Sequence, residues 1–269
     1  MRPPLDGVVL LTGASAGIGA DMARQIAPTA SHLILVARRR DRLEALATEL
    51  KQLRPALTVD VELCDLSTPS DVEALLARLP DVDVLINNAG LGDMGLFEDS
   101  TTAKIDQMIQ VNVVALTRLT HALLPGMVAR KRGGVLNVSS SYGFLWTPGA
   151  AVYIGTKHYV TAFTESLRSE LRGTGVVVTQ LCPGPVESEF EEVAGSLLDQ
   201  KPPRFVMLPS AEAARHALDA FRADHALVIS GWIPSLVLRI AGLTPRWLNR
   251  LMMAPMARML RQHHDQRRR

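Results

Sequence analysis

The chain alternates short apolar runs with longer stretches of helical periodicity, and this alternation limits the fold more than any other feature. The first run, Val8–Thr12, is continuously apolar up to its final threonine, which predicts a strand covered on both faces. Six further strands are predicted at Leu33–Ala37, Leu57–Leu63, Val82–Ile86, Val135–Val138, Val176–Leu181 and Leu227–Ser230. Strands spaced by helices join through right-handed βαβ units. We therefore predict an α/β fold with a doubly wound, parallel, seven-stranded sheet.

Helices are predicted between these strands. Their approximate ranges are Ile18–Ala27, Arg39–Leu53, Lys104–Ala129, Val152–Leu171 and Ser210–Arg222. A further helix opens at Thr68, where Thr68-Pro69-Ser70-Asp71 matches a capping box with proline at the first helical position. We predict one domain over residues 1–238, followed by a helical C-terminal extension over residues 239–269.

Length and composition narrow the function classes. A chain of 269 residues can form one α/β domain with a sizeable core, and 47% hydrophobic content argues against disorder. A net charge of +2 does not fit a nucleic-acid binder. We see no signal-peptide pattern, and the longest uncharged apolar run, Ala226–Leu238, is too short for a simple membrane span. Cys64 and Cys182 lie in strand-like runs and fit core positions in a reducing compartment. We predict a cytoplasmic protein with no metal site.

A glycine-rich turn follows the first strand. It runs from Thr12 to Gly19 and contains Gly13, Gly17 and Gly19. A pyrophosphate needs backbone N–H groups and a helix N-terminus directed at it, and glycine lets the backbone approach closely. The spacing is Gly-x-x-x-Gly-x-Gly, so a plain strand-to-helix turn is the alternative. The position after the first strand of a βαβ series favours dinucleotide binding.

The end of the second strand indicates which dinucleotide is used. NAD enzymes usually place an acid there for the ribose 2′-hydroxyl. This chain instead has Arg38, Arg39 and Arg40 before its first acid, Asp41. Arginine suits a 2′-phosphate, whereas arginines at a helix start oppose the helix dipole. A solvated basic helix start is the alternative, and we predict NADP(H).

Tyr153 and Lys157 are four residues apart and therefore share a helix face. Of the three tyrosines, only Tyr153 has a lysine at this offset. A phenol titrates near pH 10, so it needs help to exchange protons at neutral pH, and a neighbouring lysine can lower its pKa. The pair lies downstream of a serine triplet, Ser139–Ser141.

Taken in order, these motifs resemble the short-chain dehydrogenase/reductase family, standard-length branch, over residues 6–232. The motifs that carry the resemblance are Thr12–Gly19, Asp65-Leu66, Asn87–Gly90, Asn112, Ser139–Ser141, Tyr153 to Lys157 and Pro183–Val186. The resemblance implies a Rossmann-like fold, with each motif at the carboxyl end of a strand or on the following helix. It also implies a homodimer or homotetramer, paired through the helices that begin near Lys104 and Val152.

The resemblance also assigns catalytic roles. Tyr153 would be the general acid or base, and Lys157 would lower its pKa and bind the nicotinamide ribose. Ser140, thirteen residues before the tyrosine, would polarise the carbonyl, while Ser139 and Ser141 would point elsewhere; a merely polar strand end is the alternative. Asn112 would hold a water that relays protons to Lys157, or it would be a satisfied polar residue in a buried helix.

The remaining matches would contact the cofactor. Asp65 would bind the adenine amino group, Leu66 would flank the ring, and Asn87 would mostly tie strands together. The expected cofactor-binding residues are Gly13, Ser15, Gly17, Ile18, Gly19, Arg38, Arg39, Asp65, Leu66, Asn88, Ala89, Gly90, Tyr153, Lys157, Pro183, Gly184, Val186 and Ser188. The chain departs from the common family pattern at Thr156 and Ser188, and both substitutions keep a hydroxyl.

Two apolar segments bear on the substrate. They supply Tyr142, Phe144, Leu145 and Trp146 after the serines, and Phe190, Val193, Leu197, Leu198, Phe205, Val206 and Met207 within Glu187–Pro209. Such a lining suits an apolar ketone, aldehyde or secondary alcohol, although these residues would equally serve as the core of a lid. The acids Glu187, Glu189, Glu191 and Glu192 disfavour a strongly anionic substrate.

Two functions remain from the sequence. The first is an NADP(H)-dependent oxidoreductase that interconverts a carbonyl and an alcohol. The second is an NADP(H)-binding regulator or scaffold without significant turnover. The presence of Asn112, Ser140, Tyr153 and Lys157 together favours the enzyme.

The C-terminal extension is basic and amphipathic. Arg239–Arg269 holds eight arginines and one acid, Asp265, so its net charge is +7 and the rest of the chain carries −5. Apolar residues recur every three to four positions, with a bend expected at Pro255. Residues 232–262 could lie in a membrane interface with their arginines on anionic headgroups, or pack on the domain or a partner subunit. Both alternatives remain open.

Overall fold

A computed structural model describes residues 4–195, 206–231, 235, 236, 238 and 244–267, and it confirms the α/β fold. The strands are β1 Val8–Thr12, β2 His32–Ala37, β3 Thr58–Leu63, β4 Val84–Asn87, β5 Gly133–Val138, β6 Val176–Pro183, β7 Val186–Glu187, β8 Leu208–Pro209 and β9 Leu227–Ser230. The helices are α1 Gly17–Ile26, α2 Arg40–Leu53, α3 Pro69–Leu76, α4 Thr102–Ile109, α5 Leu116–Ala129, α6 Ala151–Glu170, α7 Phe190–Ala194, α8 Ser210–Arg222 and α9 Arg246–Arg267.

Seven strands form one parallel sheet in the order β3-β2-β1-β4-β5-β6-β9. The order reverses between β1 and β4, where Val9 lies opposite Leu33 on one side and Val84 on the other. Ligands of open α/β sheets bind at the carboxyl ends of the strands beside such a reversal. The glycine-rich turn after β1 and the Asn87–Gly90 motif after β4 are therefore brought together.

The apolar runs of the sequence are buried because both faces of the sheet are covered. One core cluster contains Val9, Leu11 and Phe221 and lies on the side of α1, α2 and α8. A second cluster contains Leu10, Leu85 and other residues on the side of α3 and α5. Alternate residues of β1 thus enter opposite cores, which explains why the run has no exposed face. Cys64 and Cys182 are buried and free, as predicted.

The structure differs from the sequence prediction at the start of α3. Thr68 precedes this helix, but its side chain makes no capping hydrogen bond. The Asp71 carboxylate instead accepts a hydrogen bond from the Asp65 backbone N–H at 3.2 Å. The predicted capping box is therefore wrong, because Asp71 orders the loop that carries Asp65 and does not bond back to Thr68.

The long helix predicted at Lys104–Ala129 contains a π-helical segment, Gln110–Ala115, between α4 and α5. Over Thr102–Ala129 the mean hydropathy reaches 1.3, so this helix meets the length and composition of a membrane span. However, Met108, Val111, Leu119 and Met127 are buried against the domain. Its apolar character is thus explained in part by its core-facing side.

Three short elements were not predicted. β7 and β8 form a two-residue parallel pair, and α7 follows β7. Strands of two residues carry no periodicity that a sequence reading could detect.

The C-terminal helix α9 continues through Pro255 and contacts the domain through one side. His264 Nε2 lies 3.0 Å from Asp99 Oδ2, Arg261 forms an ion pair with Glu98, and Leu260 is buried. The Thr147 hydroxyl is 3.2 Å from the Met256 sulfur. This half of the extension packs on the domain. Most of residues 232–243 lie outside the described residues, so the boundary at residue 238 stays a prediction.

Candidate active site

The glycine-rich turn forms a cradle between β1 and α1. Gly13 and Gly17 have φ angles of +68° and +52°, which favour glycine. A Cβ at Gly19 would lie 2.3 Å from the Gly13 carbonyl oxygen, and one at Gly17 would lie 3.2 Å from the Ser188 Cβ. Because α1 starts at Gly17 without a side-chain cap, its first N–H groups are available to an anion. The turn fits a phosphate group.

Residues after β4 hold this turn in place. The Thr12 hydroxyl donates to the Ile86 carbonyl at 3.2 Å and accepts from the N–H groups of Asn88 and Ala89. The Asn88 amide donates to the carbonyl oxygens of Thr12 at 3.0 Å and Gly13 at 3.2 Å. The Asn88 side chain therefore supports the cradle from behind.

Asn87 ties neighbouring elements together. Its amide donates to Asn137 Oδ1 on β5 at 2.9 Å and to Thr120 Oγ1 on α5 at 3.1 Å. This geometry agrees with the structural role that we expected for Asn87.

Arginines lie at the carboxyl end of β2. Arg39 donates to the Ser15 hydroxyl at 3.0 Å and to the Glu189 carboxylate at 2.6 Å, and Arg42 binds the same carboxylate. Arg38 lies 3.9 Å from Asp65 and is more exposed than Arg39. The glycine turn, α1, α2 and β7 border an open cleft of about 500 Å³ beside Ser15, Gly17, Ser188 and Glu189. Two arginines, Arg24 and Arg42, line it together with four acids, Asp41, Glu49, Glu187 and Glu189, so its charges alone do not indicate a phosphate site.

Asp65 lies two residues after the end of β3. Partial burial raises the pKa of its carboxyl, but hydrogen bonds from the N–H and hydroxyl of Ser67 and the charge of Arg38 outweigh it, so the pKa is lowered. Leu66 is only 8% exposed and belongs to the second core cluster. Most of the Leu66 side chain is therefore used in packing, and its contact with an adenine ring stays a prediction.

The residues predicted to transfer protons lie where β5 faces α6. Lys157 Nζ donates to the Val138 carbonyl at 3.0 Å and lies 5.8 Å from the centre of the Tyr153 ring. The Ser140 hydroxyl accepts from the Tyr142 N–H at 3.2 Å, and its proximity to Tyr153 acts to lower the pKa of that tyrosine. The structure thus brings Ser140, Tyr153 and Lys157 into one buried cluster.

The two neighbouring serines have other positions. The Ser139 hydroxyl donates to the Lys157 carbonyl at 3.1 Å and lies 3.0 Å from Thr161 Oγ1, so it anchors α6 to β5. Ser141 begins a short 3₁₀ turn and is partly exposed. Among the three serines, Ser140 is the one that acts on the pKa of Tyr153.

Burial affects both ionisable groups of this cluster. It lowers the pKa of Lys157 to about 8. It also raises the pKa of Tyr153, although the hydrogen bond from Ser140 acts in the opposite direction. The pKa of Tyr153 is thus raised overall, against the lowering that we expected, and the effect of the Lys157 charge on the phenolate stays a prediction. The reason is that a buried site disfavours the phenolate and the ammonium alike.

Asn112 lies in the π-helical segment and is buried. Its carbonyl accepts from the Leu91 N–H at 2.8 Å, and its amide donates to the Leu91 carbonyl at 2.8 Å and to Thr156 Oγ1 at 3.0 Å. A Cβ at Gly90 would lie 3.4 Å from Lys157 Nζ and 3.5 Å from Asn112 Oδ1, so both side chains border Gly90. The water relay stays a prediction. The contact between Asn112 and Thr156 was not predicted from the sequence.

Aromatic rings cover Tyr153. Its ring centre is 5.6 Å from that of Phe190 and 6.1 Å from that of Tyr142, which meets it edge-on. Val193 is 69% exposed, so it does not line a pocket as we expected. Of the other expected lining residues, Leu197, Leu198 and Phe205 lie outside the described residues.

Glu189 does not face the substrate side. We expected it to disfavour an anionic substrate, but its carboxylate is bound by Arg39 and Arg42. No local signal predicts this contact, because the partners are 150 and 147 residues apart.

Within the part of the chain that the structure describes, no group of three His, Cys, Asp or Glu side chains could hold a metal ion. The candidate site thus consists of the cluster of Ser140, Tyr153 and Lys157 and the cradle formed by the glycine-rich turn.

Comparisons with known proteins agree with this geometry. The profile described as short chain dehydrogenase matches residues 7–196. The NADP-dependent 3-hydroxy acid dehydrogenase YdfG of Salmonella typhimurium is 39% identical over 202 residues, which are 72% of this chain and 79% of that protein.

Two solved structures are similar over most of the chain. A short-chain dehydrogenase from Sphingobium yanoikuyae in complex with NADPH is 30% identical, with a TM-score of 0.78, covering 89% of this chain and 97% of its own. The bulky-bulky ketone specific alcohol dehydrogenase from Comamonas testosteroni is 28% identical, with a TM-score of 0.74, covering 94% and 93%.

Proposed function

Since the chain belongs to the short-chain dehydrogenase family, we propose that it reduces or forms an apolar ketone through a proton relay of Ser140, Tyr153, Lys157 and Asn112. The coarser activity is plain: this is an oxidoreductase that uses NADP(H) and interconverts carbonyl and alcohol groups. The observation that supports the relay is the clustering of the three side chains: Lys157 Nζ lies 5.8 Å from the centre of the Tyr153 ring, and Ser140 is close enough to act on the pKa of Tyr153.

Different residues of the site would bind different parts of NADP(H). Gly13, Gly17 and Gly19 would admit the pyrophosphate, and Arg38 and Arg39 would bind the 2′-phosphate. Asp65, Leu66 and the Asn88–Gly90 segment would contact the adenosine and ribose parts. Pro183, Gly184, Val186 and Ser188 would border the nicotinamide half. Bound NADP(H) supplies or accepts the hydride.

The proton moves through side chains. In reduction, the Tyr153 hydroxyl protonates the substrate carbonyl oxygen while the Ser140 hydroxyl donates a hydrogen bond to the same oxygen. Lys157 then stands next to the phenolate that forms, and its positive charge stabilises that phenolate. Asn112 orients the end of the relay. In oxidation each of these proton transfers runs in reverse.

The surroundings of Tyr153 favour an apolar substrate. Phe190 and Tyr142 cover its ring, and Phe144 and Trp146 are partly exposed nearby in sequence. Arg39 and Arg42 bind the carboxylate of Glu189, so this carboxylate does not decide which charge a substrate can carry. YdfG favours a second candidate, a 3-hydroxy acid, because its printed name gives that substrate and its identity is 39%.

A substrate panel tests this proposal. Purified protein with NADPH is offered bulky apolar ketones, aldehydes and short 3-oxo acids, and the loss of NADPH absorbance is followed. We expect the highest kcat/KM for an apolar ketone, and NADPH to be used better than NADH. A preference for the 3-oxo acids would select the second candidate. NADPH binding without turnover on any compound would favour the regulator or scaffold.

We also propose that this cytoplasmic enzyme touches membranes through the outward side of α9. Trp247, Leu251 and Met252 are each more than 60% exposed there, and the neighbouring Arg250 and Arg258 are exposed too. An exposed apolar face with arginines suits anionic lipid. The test is co-sedimentation with anionic vesicles at low salt, for full-length protein against a truncation at Gly242. Absence of full-length protein from the pellet would contradict the proposal.

A further inference from the structure

Glu189 holds together two arginines beside the glycine-rich turn. Its carboxylate accepts from Arg39 at 2.6 Å and also from Arg42. Arg39 in turn donates to the Ser15 hydroxyl at 3.0 Å. The two guanidinium groups lower the pKa of Glu189, so this side chain is an anion at neutral pH. A carboxylate of the chain itself is thus paired with the arginines of the proposed cofactor site.

The position of Glu189 connects two parts of the site. It directly precedes α7, whose first residue, Phe190, packs on the Tyr153 ring. On its other side, Ser188 faces Gly17 across the phosphate-binding cradle. A group that takes Arg39 away from Glu189 therefore acts on the segment that covers Tyr153.

We propose that Glu189 is a specificity-determining residue, an internal anion that the 2′-phosphate of NADP(H) displaces from Arg39 and Arg42. NAD(H) has no 2′-phosphate and binds with this ion pair intact. Glu189 therefore moderates the preference for NADP(H) that the arginines create. This inference rests on the proposed cofactor site.

The test is a binding measurement on Glu189→Gln, which removes the charge and keeps the size of the side chain. Dissociation constants of NADPH, NADH and 2′,5′-ADP are measured by calorimetry without substrate, so the readout is independent of turnover. We expect NADPH and 2′,5′-ADP to bind about three- to fivefold more tightly to the variant, the upper part of the range that exposed ion pairs usually have. The dissociation constant of NADH should stay within about twofold.

Glu187→Gln is the matched control. Glu187 borders the same cleft and its replacement makes the same change in net charge. We expect this control to leave the ratio of NADPH to NADH affinity close to that of the wild-type chain.

Three results would overturn the inference. They are equal tightening by both glutamine variants, equal tightening of NADPH and NADH, and unchanged or weaker NADPH binding by Glu189→Gln, which would mean that Glu189 orients the arginines for the phosphate. Failure of the wild-type chain to bind either cofactor would overturn the proposed function as well, whereas binding without a difference between wild type and Glu189→Gln overturns this inference alone.

Discussion

At the residue scale, the hydroxyl of Tyr153 is the group on which turnover depends. We predict that Tyr153→Phe lowers kcat by about 10²–10⁴-fold, because the ring packing against Phe190 remains and only the proton is lost. NADPH affinity, measured by calorimetry, should change little. Tyr159→Phe is the matched control on the same helix, since its hydroxyl contacts Thr117 at 2.8 Å. Equal losses in the two variants would contradict the assignment.

The three serines allow a test of register. Ser140 is close enough to Tyr153 to act on its pKa, whereas Ser139 bonds to α6 and Ser141 lies in the following turn. We therefore predict that Ser140→Ala lowers kcat/KM by at least about tenfold more than Ser141→Ala does. Steady-state kinetics with the best substrate of the panel measures this ratio. A more damaging Ser141→Ala would mean that Ser141 polarises the carbonyl.

Lys157 gives the fold a pH dependence of known sign. Its pKa is about 8 in the folded chain and 10.5 in an unfolded one. Between these values the unfolded chain binds more protons, so the free energy of unfolding should rise with pH, at up to about 1.4 kcal/mol per unit. Below pH 8 the cost of the buried charge is fully present.

Urea unfolding between about pH 7.5 and 9.5 measures this effect below the range where Tyr153 titrates. The raised pKa of Tyr153 acts with the opposite sign, since the stability that it contributes is lost above pH 10. Lys157→Met should flatten the rise, whereas Lys51→Met, at an exposed position of α2, should keep it. An unchanged slope in Lys157→Met would refute the account.

At the scale of elements, α9 is attached to the domain by one side. Leu260 is 6% exposed, whereas its neighbour Met259 is 53% exposed. We predict that Leu260→Ala releases the helix, because deleting a buried leucine side chain commonly costs about 2–5 kcal/mol. Hydrogen exchange over residues 246–267 should quicken while the strands stay protected. Met259→Ala is the control and should leave this exchange unchanged.

At the scale of the whole molecule, α5 and α6 form a surface with exposed apolar side chains. Tyr159 is 38% exposed, stacks on Phe163 at 5.7 Å and contacts Thr117 of α5. Ile109, the last residue of α4 in the long helical region that also contains α5, is 39% exposed. We predict that these helices pair in a symmetric homodimer or homotetramer, which covers this apolar surface.

Light scattering at micromolar concentration should then report at least twice the chain mass of 29.3 kDa. Tyr159→Glu should shift the mass toward the monomer. Leu53→Glu changes a residue of α2 that is 66% exposed, and it should not. A monomeric wild-type chain would contradict the prediction.

The sequence by itself determined the features that depend on local spacing. Apolar runs predicted all seven strands of the main sheet. A strand buried on both faces, such as β1, needs apolar residues throughout, whereas the edge strand β3 exposes Thr58 and Asp60. The four-residue spacing of Tyr153 and Lys157 placed them on one helix face. The glycines after β1 and the family motifs indicated the cofactor. Periodicity and spacing of this kind are properties of neighbouring residues.

Only the tertiary structure decided which distant groups meet. It placed Ser140 beside Tyr153, it joined Asn112 to Thr156 and Glu189 to Arg39 by hydrogen bonds, and it packed α9 on Glu98 and Asp99. It also reversed the expected direction of the Tyr153 pKa, since burial is a property of the packed site. Such contacts join residues that are far apart in sequence. They depend on which strands lie side by side in the sheet, and spacing along the chain does not encode that order.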